Sequence, residues 1–288
     1  MIRYSLITFI VLFAGFNIYL RVKKQEYSTY QYQYQLNVME GQKYIFGKRA
    51  PESVLLGTSL SALMPTDSLN GLYKLAMPGL STADGRNIVM KRNSYPHRIF
   101  IEINFFNKPA DEAYTSLFSS SVNNKIKEVL PALKEENQPV SILLSKFKKD
   151  HQQPGNNQVV PVNDTVPANI FMNLLAGSRR QYTDPIDTMA LEKALDELTG
   201  FVEEVTAKGS HVCFFEMPVD QSLENLPKTV LVRNMIQQRF QGKQNTWFIH
   251  LPQGNFRTKD GIHLTESNAW DYTSYFKEEV DRLALAGF

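Results

Sequence analysis

Cysteine is nearly absent from this chain. A single one, Cys213, stands among 288 residues, which excludes an intrachain disulfide and any cysteine-based zinc cluster. A surplus of one charge is missing too. The 31 Lys and Arg against 29 Asp and Glu leave a net +2, too balanced for a nucleic-acid-binding surface. His97, His151, His211 and His250 are scattered, with no H-x-H or HExxH spacing, so no local metal motif exists. No Walker or dinucleotide glycine pattern and no internal repeat occurs, and no metal or other cofactor is expected. With 15 Gly, 14 Pro, 43% hydrophobic and 21% charged residues, the composition excludes a disordered, collagenous or coiled-coil chain.

What is present begins with an apolar run. Residues 4–20, YSLITFIVLFAGFNIYL, end at Arg21, Lys23 and Lys24. At about 1.5 Å per residue the run reaches roughly 26 Å, enough to cross a hydrocarbon core with its flanks snorkelling. No small-x-small cleavage site follows, so residues 1–24 read as an uncleaved signal anchor rather than a cleaved signal peptide. The charge count alone, heavier after the run than at Arg3 before it, puts the following domain in the cytoplasm. Residues 25–46, with QEYSTYQYQYQ, are polar and read as a stalk or extended linker.

Residues 47–288 read as one α/β domain. Buried strands are predicted at Ser53–Leu56, Ile99–Phe106, Val140–Leu144, His211–Glu216 and Thr246–His250. Helices are predicted at Thr82–Asn93, Asn124–Asn137, Asp187–Lys208, Leu226–Phe240 and Glu266–Leu285. The alternation argues for a parallel sheet covered on both faces. Residues 145–185 interrupt it as a long irregular insertion, either a lid or plain surface.

Two segments carry chemistry. In Val54-Leu55-Leu56-Gly57-Thr58-Ser59-Leu60-Ser61 a strand ends, a glycine turns the chain and a serine follows. Sites gather at that end of parallel strands, although a serine N-cap would look the same. In Lys259-Asp260-Gly261-Ile262-His263-Leu264 an Asp precedes a His by three residues. That spacing lets the carboxylate orient the imidazole as a base for a serine nucleophile; a capping Asp beside a surface His is the plainer alternative. Gly79, in Met77-Pro78-Gly79-Leu80, offers a turn N–H, and Asn104, near the end of a strand, offers an amide. Both are candidate donors to a tetrahedral anion. Cys213 lies in an apolar strand and reads as inert core.

In order along the chain, these blocks resemble the SGNH (GDSL-type) hydrolase superfamily. Gly57-Thr58-Ser59-Leu60 is similar to its first block, with Thr58 where Asp is usual. Gly79 matches the second-block glycine and Asn104 the third-block asparagine, with Glu102 and Phe105 in place of the usual Gly and Asp. Asp260 and His263 match the final D-x-x-H. With the apolar run, the chain looks most like the membrane-anchored envelope branch, which includes teichoic-acid D-alanyl transfer and alginate O-acetylation proteins. The resemblance implies a three-layer α/β/α flavodoxin-like fold behind one N-terminal transmembrane helix. It implies Ser59 as nucleophile, His263 as base and Asp260 as its orienter. The Ser59 and Gly79 N–H groups with Asn104, or Asn107 in its place, would form the oxyanion hole. The expected function is a serine esterase or O-acyltransferase on an acylated envelope or exported polysaccharide. A multi-pass membrane acyl donor would be its partner, and its domain would lie outside the cytoplasm, against the charge count. A non-catalytic accessory or glycan-binding module on the same fold is the alternative.

Overall fold

A computed structural model describes residues 2–22, 33–65, 69–138, 166–285 and 287–288. In chain order its elements are α1 (Ile2–Val22), α2 (Gln33–Phe46), β1 (Ser53–Gly57), α3 (Ser59–Ala62), β2 (Leu72–Ala76), α4 (Thr82–Val89), β3 (Arg98–Glu102), α5 (Glu112–Ser116) and α6 (Ser121–Val129). After two 3₁₀ turns, Pro131–Leu133 and Glu135–Asn137, come α7 (Ala168–Thr183), α8 (Thr188–Ala207), β4 (His211–Phe215), α9 (Gln221–Glu224), α10 (Pro227–Phe240), β5 (Thr246–Ile249) and α11 (Glu266–Leu285).

The chain divides into two compact units, Met1–Lys48 with Glu112–Gln158, and Arg49–Asp111 with Val159–Phe288. The second holds a five-stranded parallel sheet in the order β2-β1-β3-β4-β5, the flavodoxin-like order, whose switch point lies between β1 and β3. The register sets Leu55, Phe100, Cys213 and Trp247 side by side. By the two-residue pleat these face one side, where they pack with Tyr272, Phe276 and Leu283 of α11. Leu56, Ile101, Phe214 and Phe248 form the next row and face the other side, where Phe214 packs 4.7 Å from Phe240 of α10. Helices on both faces of a parallel sheet make three layers, the α/β/α fold expected.

Four predicted strands are present within a few residues of their expected bounds. The fifth, Val140–Leu144, lies outside the described residues. The remaining place in the sheet belongs to β2, an edge strand reading LYKLA whose first three residues are only half-buried. Its Lys74 turns its ammonium onto the Ala62 and Met64 carbonyls at 2.8 and 2.9 Å. The helix expected over Asn124–Asn137 is shifted: α6 starts at Ser121, capped by Ser120, and ends before Pro131, whose ring cannot continue the hydrogen-bond ladder.

Two domain readings are corrected. Residues 33–46 are no extended linker. They form α2, which buries Asn37, Val38, Met39, Gly41, Gln42 and Tyr44; residues 25–32 lie outside the described residues. Nor do residues 47–288 form one compact unit, because the described residues from Glu112 to Gln138 group with the N-terminal helices. The ties are specific: the Tyr114 hydroxyl donates to the Asn37 carbonyl at 3.0 Å, and the Glu135 N–H to Gln42 Oε1 at 2.8 Å. Of the insertion expected at 145–185, Ala168–Thr183 is not irregular but a 16-residue α-helix.

α1 is 21 residues long, apolar and almost wholly exposed. It meets the length and composition of a membrane anchor or a signal sequence.

Candidate active site

β1 ends at Gly57 against a tight constraint. A Cβ there would fall 1.9 Å from Ser61 Oγ and 2.7 Å from Glu102 Oε2, so only glycine lets the chain pass. Thr58 follows as N-cap of the single-turn α3, its hydroxyl accepting from the Leu60 N–H. This sets Ser59, half-buried, at the C-terminal edge of the sheet beside the switch point.

Glu102, the last residue of β3, is fully buried beneath this loop. One oxygen takes the Thr58 hydroxyl at 2.6 Å. The other takes the Thr58 N–H at 2.9 Å, the Ser61 N–H at 3.2 Å and the Ser61 hydroxyl at 2.5 Å. Burial pushes the Glu102 carboxyl up, against the pull of these four donors. With the Thr58, Leu60 and Ser61 N–H groups engaged, the Ser59 N–H is the one of this run without an acceptor among the described residues.

The opposite partner is the loop between β5 and α11. Thr258 and Leu264 bridge its base, and the Lys259 N–H donates to the His263 carbonyl at 2.7 Å. Gly261 takes φ +96°, and a Cβ there would strike Leu175 of α7 at 2.6 Å. Ser178 of α7 donates to the Asp260 carbonyl at 2.8 Å. Within this frame Asp260 Oδ1 accepts the Ile262 and His263 N–H groups at 3.0 and 2.8 Å. Its Oδ2 lies 2.6 Å from His263 Nδ1, and His263 Nε2 lies 2.8 Å from Ser59 Oγ. An ionised Asp260 can only accept, so Nδ1 carries the ring proton and Nε2 is left to accept the Ser59 hydroxyl.

Partial burial alone would raise the Asp260 carboxyl. The hydrogen bonds from the His263 ring, the His263 and Ile262 N–H groups and the His263 charge outweigh it and hold the carboxyl below its ordinary 3.8. A carboxyl depressed by folding stabilises the fold above its unfolded value, and that stability is lost as pH falls through the folded value. Asp260→Asn should therefore melt below wild type at neutral pH, with the gap closing as pH drops beneath 4; thermal melts at stepped acid pH measure this.

The sequence candidates for the oxyanion hole fare differently. Met77 N–H donates to the Gly57 carbonyl at 3.2 Å, so the Met77–Leu80 turn starts beside the Ser59 loop. Gly79 is exposed at φ +83°, and its carbonyl is held by Lys108 Nζ at 2.7 Å. Asn104 is clamped to Met217: its Nδ2 donates to the Met217 carbonyl at 2.8 Å and its Oδ1 accepts the Met217 N–H at 2.7 Å. That pairing fixes the plane of the amide and ties β3 to β4. Asn107 lines a cavity of about 240 Å³ with Asn104, Phe105, Lys108, Tyr182 and Lys228. A second cavity, of about 280 Å³, is lined by Leu63, Pro65, Lys259, Leu264 and Trp270, residues that follow α3 and flank the His263 loop.

The other histidines stand apart. His211 stacks between His97 and Trp247 at the start of β4, the opposite end of the sheet from Ser59. Burial raises the Cys213 thiol far above its usual range, which suits an inert core residue. Among the described residues no three His, Cys, Asp or Glu side chains gather as a metal set.

No family model and no curated protein matches the chain. Among solved structures it is similar to one provisionally described as a platelet activating factor from Streptococcus pneumonia. The two share 12% identity over 86% of this chain and 92% of that one, with a TM-score of 0.43. A likeness of that size carries no information about chemistry.

Proposed function

We propose that the unit Arg49–Asp111 with Val159–Phe288 is a serine esterase or O-acyltransferase of the SGNH type. The observation that carries this reading is the relay Ser59–His263–Asp260, with links of 2.8 and 2.6 Å. It joins two loops 204 residues apart.

Ser59 Oγ attacks the acyl carbonyl while its proton passes to His263 Nε2. The carbonyl oxygen becomes an anion, to which the Ser59 N–H and the Gly79 N–H would donate. Asp260 stabilises the imidazolium and keeps its orientation. When the tetrahedral centre collapses, His263 returns the proton to the departing alcohol oxygen, leaving an ester on Ser59. A water or a sugar hydroxyl then attacks that ester, giving its proton to His263, and the acyl group leaves as Ser59 Oγ recovers the proton. Hydrolysis and transfer differ only in this second nucleophile. An acylated envelope or exported polysaccharide as substrate, a multi-pass membrane acyl donor as partner and a site outside the cytoplasm rest on the sequence resemblance and on α1.

The test is labelling of the detergent-solubilised full chain with a fluorophosphonate. We expect one label, on Ser59, lost in Ser59→Ala and in His263→Ala while both variants remain folded at the labelling temperature. A folded wild-type protein that takes no label, yet binds acylated glycan, would instead support the accessory-module reading.

A further inference from the structure

We propose that α6 is a membrane-surface helix, lying in the headgroup–acyl boundary of the same bilayer that α1 crosses. The proposal rests on α1 as a span and is independent of the chemistry at Ser59.

α6 is amphipathic, yet it buries none of its residues. Val122, Ile126 and Val129 are spaced four and three apart, which aligns them on one face of a helix. They are 66%, 41% and 60% exposed, and Leu133, just beyond the helix, is 37% exposed. At about 100° per residue Lys125 borders this stripe, Asn123 stands to its other side, and Asn124, Lys127 and Glu128 lie on the opposite face. An apolar stripe with lysines beside and behind it, on a helix that buries none of its residues, is the pattern of an interfacial helix.

α1 supplies the occupant. Its 21 residues reach about 31 Å, the thickness of a hydrocarbon core. The far end of α6 is fastened to the last turns of α1. Arg21 Nη2 donates to the Val129 carbonyl at 2.6 Å, and Asn17 Oδ1 accepts the Ala132 N–H at 3.1 Å. Asn17 is the one buried residue of α1. Its Nδ2 donates to the Phe13 carbonyl at 2.8 Å, so both ends of its amide are satisfied. Five residues separate Asn17 from the end of α1, so Ala132 sits about 7–8 Å inside the span's terminus. That matches the roughly 5–10 Å to which an amphipathic helix sinks below the headgroups. It also explains an asparagine in an apolar helix. The opening N–H of a 3₁₀ turn at that depth needs a protein partner, and Asn17 is that partner for Ala132. The far end of α6 thereby lies at the depth of the last turns of α1, and its lysines suit anionic headgroups.

The test is spin labelling of the full chain in phosphatidylcholine–phosphatidylglycerol vesicles. Single cysteines would be placed at Val122, Ile126, Val129 and Glu128, with one at Val11 as an internal reference, in a Cys213→Ala background. Collision with oxygen should exceed collision with a water-soluble nickel chelate at Val11, Val122, Ile126 and Val129, and the order should reverse at Glu128. Nickel access at all four α6 positions, with Val11 in lipid, would overturn the proposal. Exclusion of both reagents from the stripe would also overturn it, because a protein partner would then cover that face. A water-exposed Val11 would overturn its premise.

Discussion

His263→Ala is expected to lower kcat/KM on an aryl acetate by about 10⁴–10⁶-fold with only a small fall in melting temperature. The ring is partly exposed, and what it adds to the fold is its one bond to Asp260. Its backbone N–H and carbonyl, which hold the loop through Asp260 Oδ1 and the Lys259 N–H, survive the substitution. What disappears is the acceptor 2.8 Å from Ser59 Oγ. Without it the hydroxyl has no base within reach, and a hydroxyl is a weak nucleophile at neutral pH. Residues that work as one unit do not add. Ser59→Ala with His263→Ala should therefore be no slower than either single variant, and losses that multiply would show that the two act separately. Asp260→Ala should behave otherwise. It also frees the Ile262 and His263 N–H groups, so stability should fall by about 1–3 kcal/mol alongside a smaller rate loss of about 10⁴-fold.

Glu102→Gln is expected to harm both stability and rate. The carboxylate presents only acceptors and meets four donors. A glutamine must turn its NH₂ toward one side of that set. There it faces either the Thr58 hydroxyl, which can rotate, or the Thr58 and Ser61 N–H groups, which cannot. Buried donors left without acceptors cost about 1–3 kcal/mol each. The strained loop carries Ser59, and a displacement of about 1 Å at a nucleophile costs on the order of 10²-fold in rate. Glu102→Gln should thus melt well below wild type and label with fluorophosphonate far more slowly at a temperature where it is still folded. Thr58→Ala, which loses one of the four donors and the α3 cap, should show a smaller loss of about 1 kcal/mol. A glutamine variant that melts and labels as wild type would show that this acidic residue does not hold the loop.

Much of this arrangement was legible in the residues. The central strands announce themselves because they are buried on both faces and read as unbroken apolar runs. β2 does not, since an edge strand with Lys74 in its middle has no such run. α2 was hidden by its tyrosines and glutamines: its buried residues include Asn37 and Gln42, polar groups whose burial depends on partners from Glu112 onward. The Ser59, Asp260 and His263 blocks were readable because each is local. Glu102 was not, although both halves of its role were visible. Thr58 and Glu102 stand out as departures from the blocks they resemble, and the structure joins them by two hydrogen bonds, one of them between their side chains at 2.6 Å. The two residues form one feature, split across 44 residues. Asn104 shows a use that was not legible, because a side chain that reads as a donor for substrate also ties two strand ends together.

The 204 residues between Ser59 and His263 also set a clock. Closing so long a loop is slow, because its entropy cost must be met before the contact rewards it. During synthesis the serine leaves the ribosome many seconds before the histidine. The nascent sheet therefore carries Ser59 for all that time with no base to activate it. On the proposed mechanism, reactivity at Ser59 would begin only once the last loop docks, so covalent labelling of Ser59 would be a late marker of folding and not merely of identity.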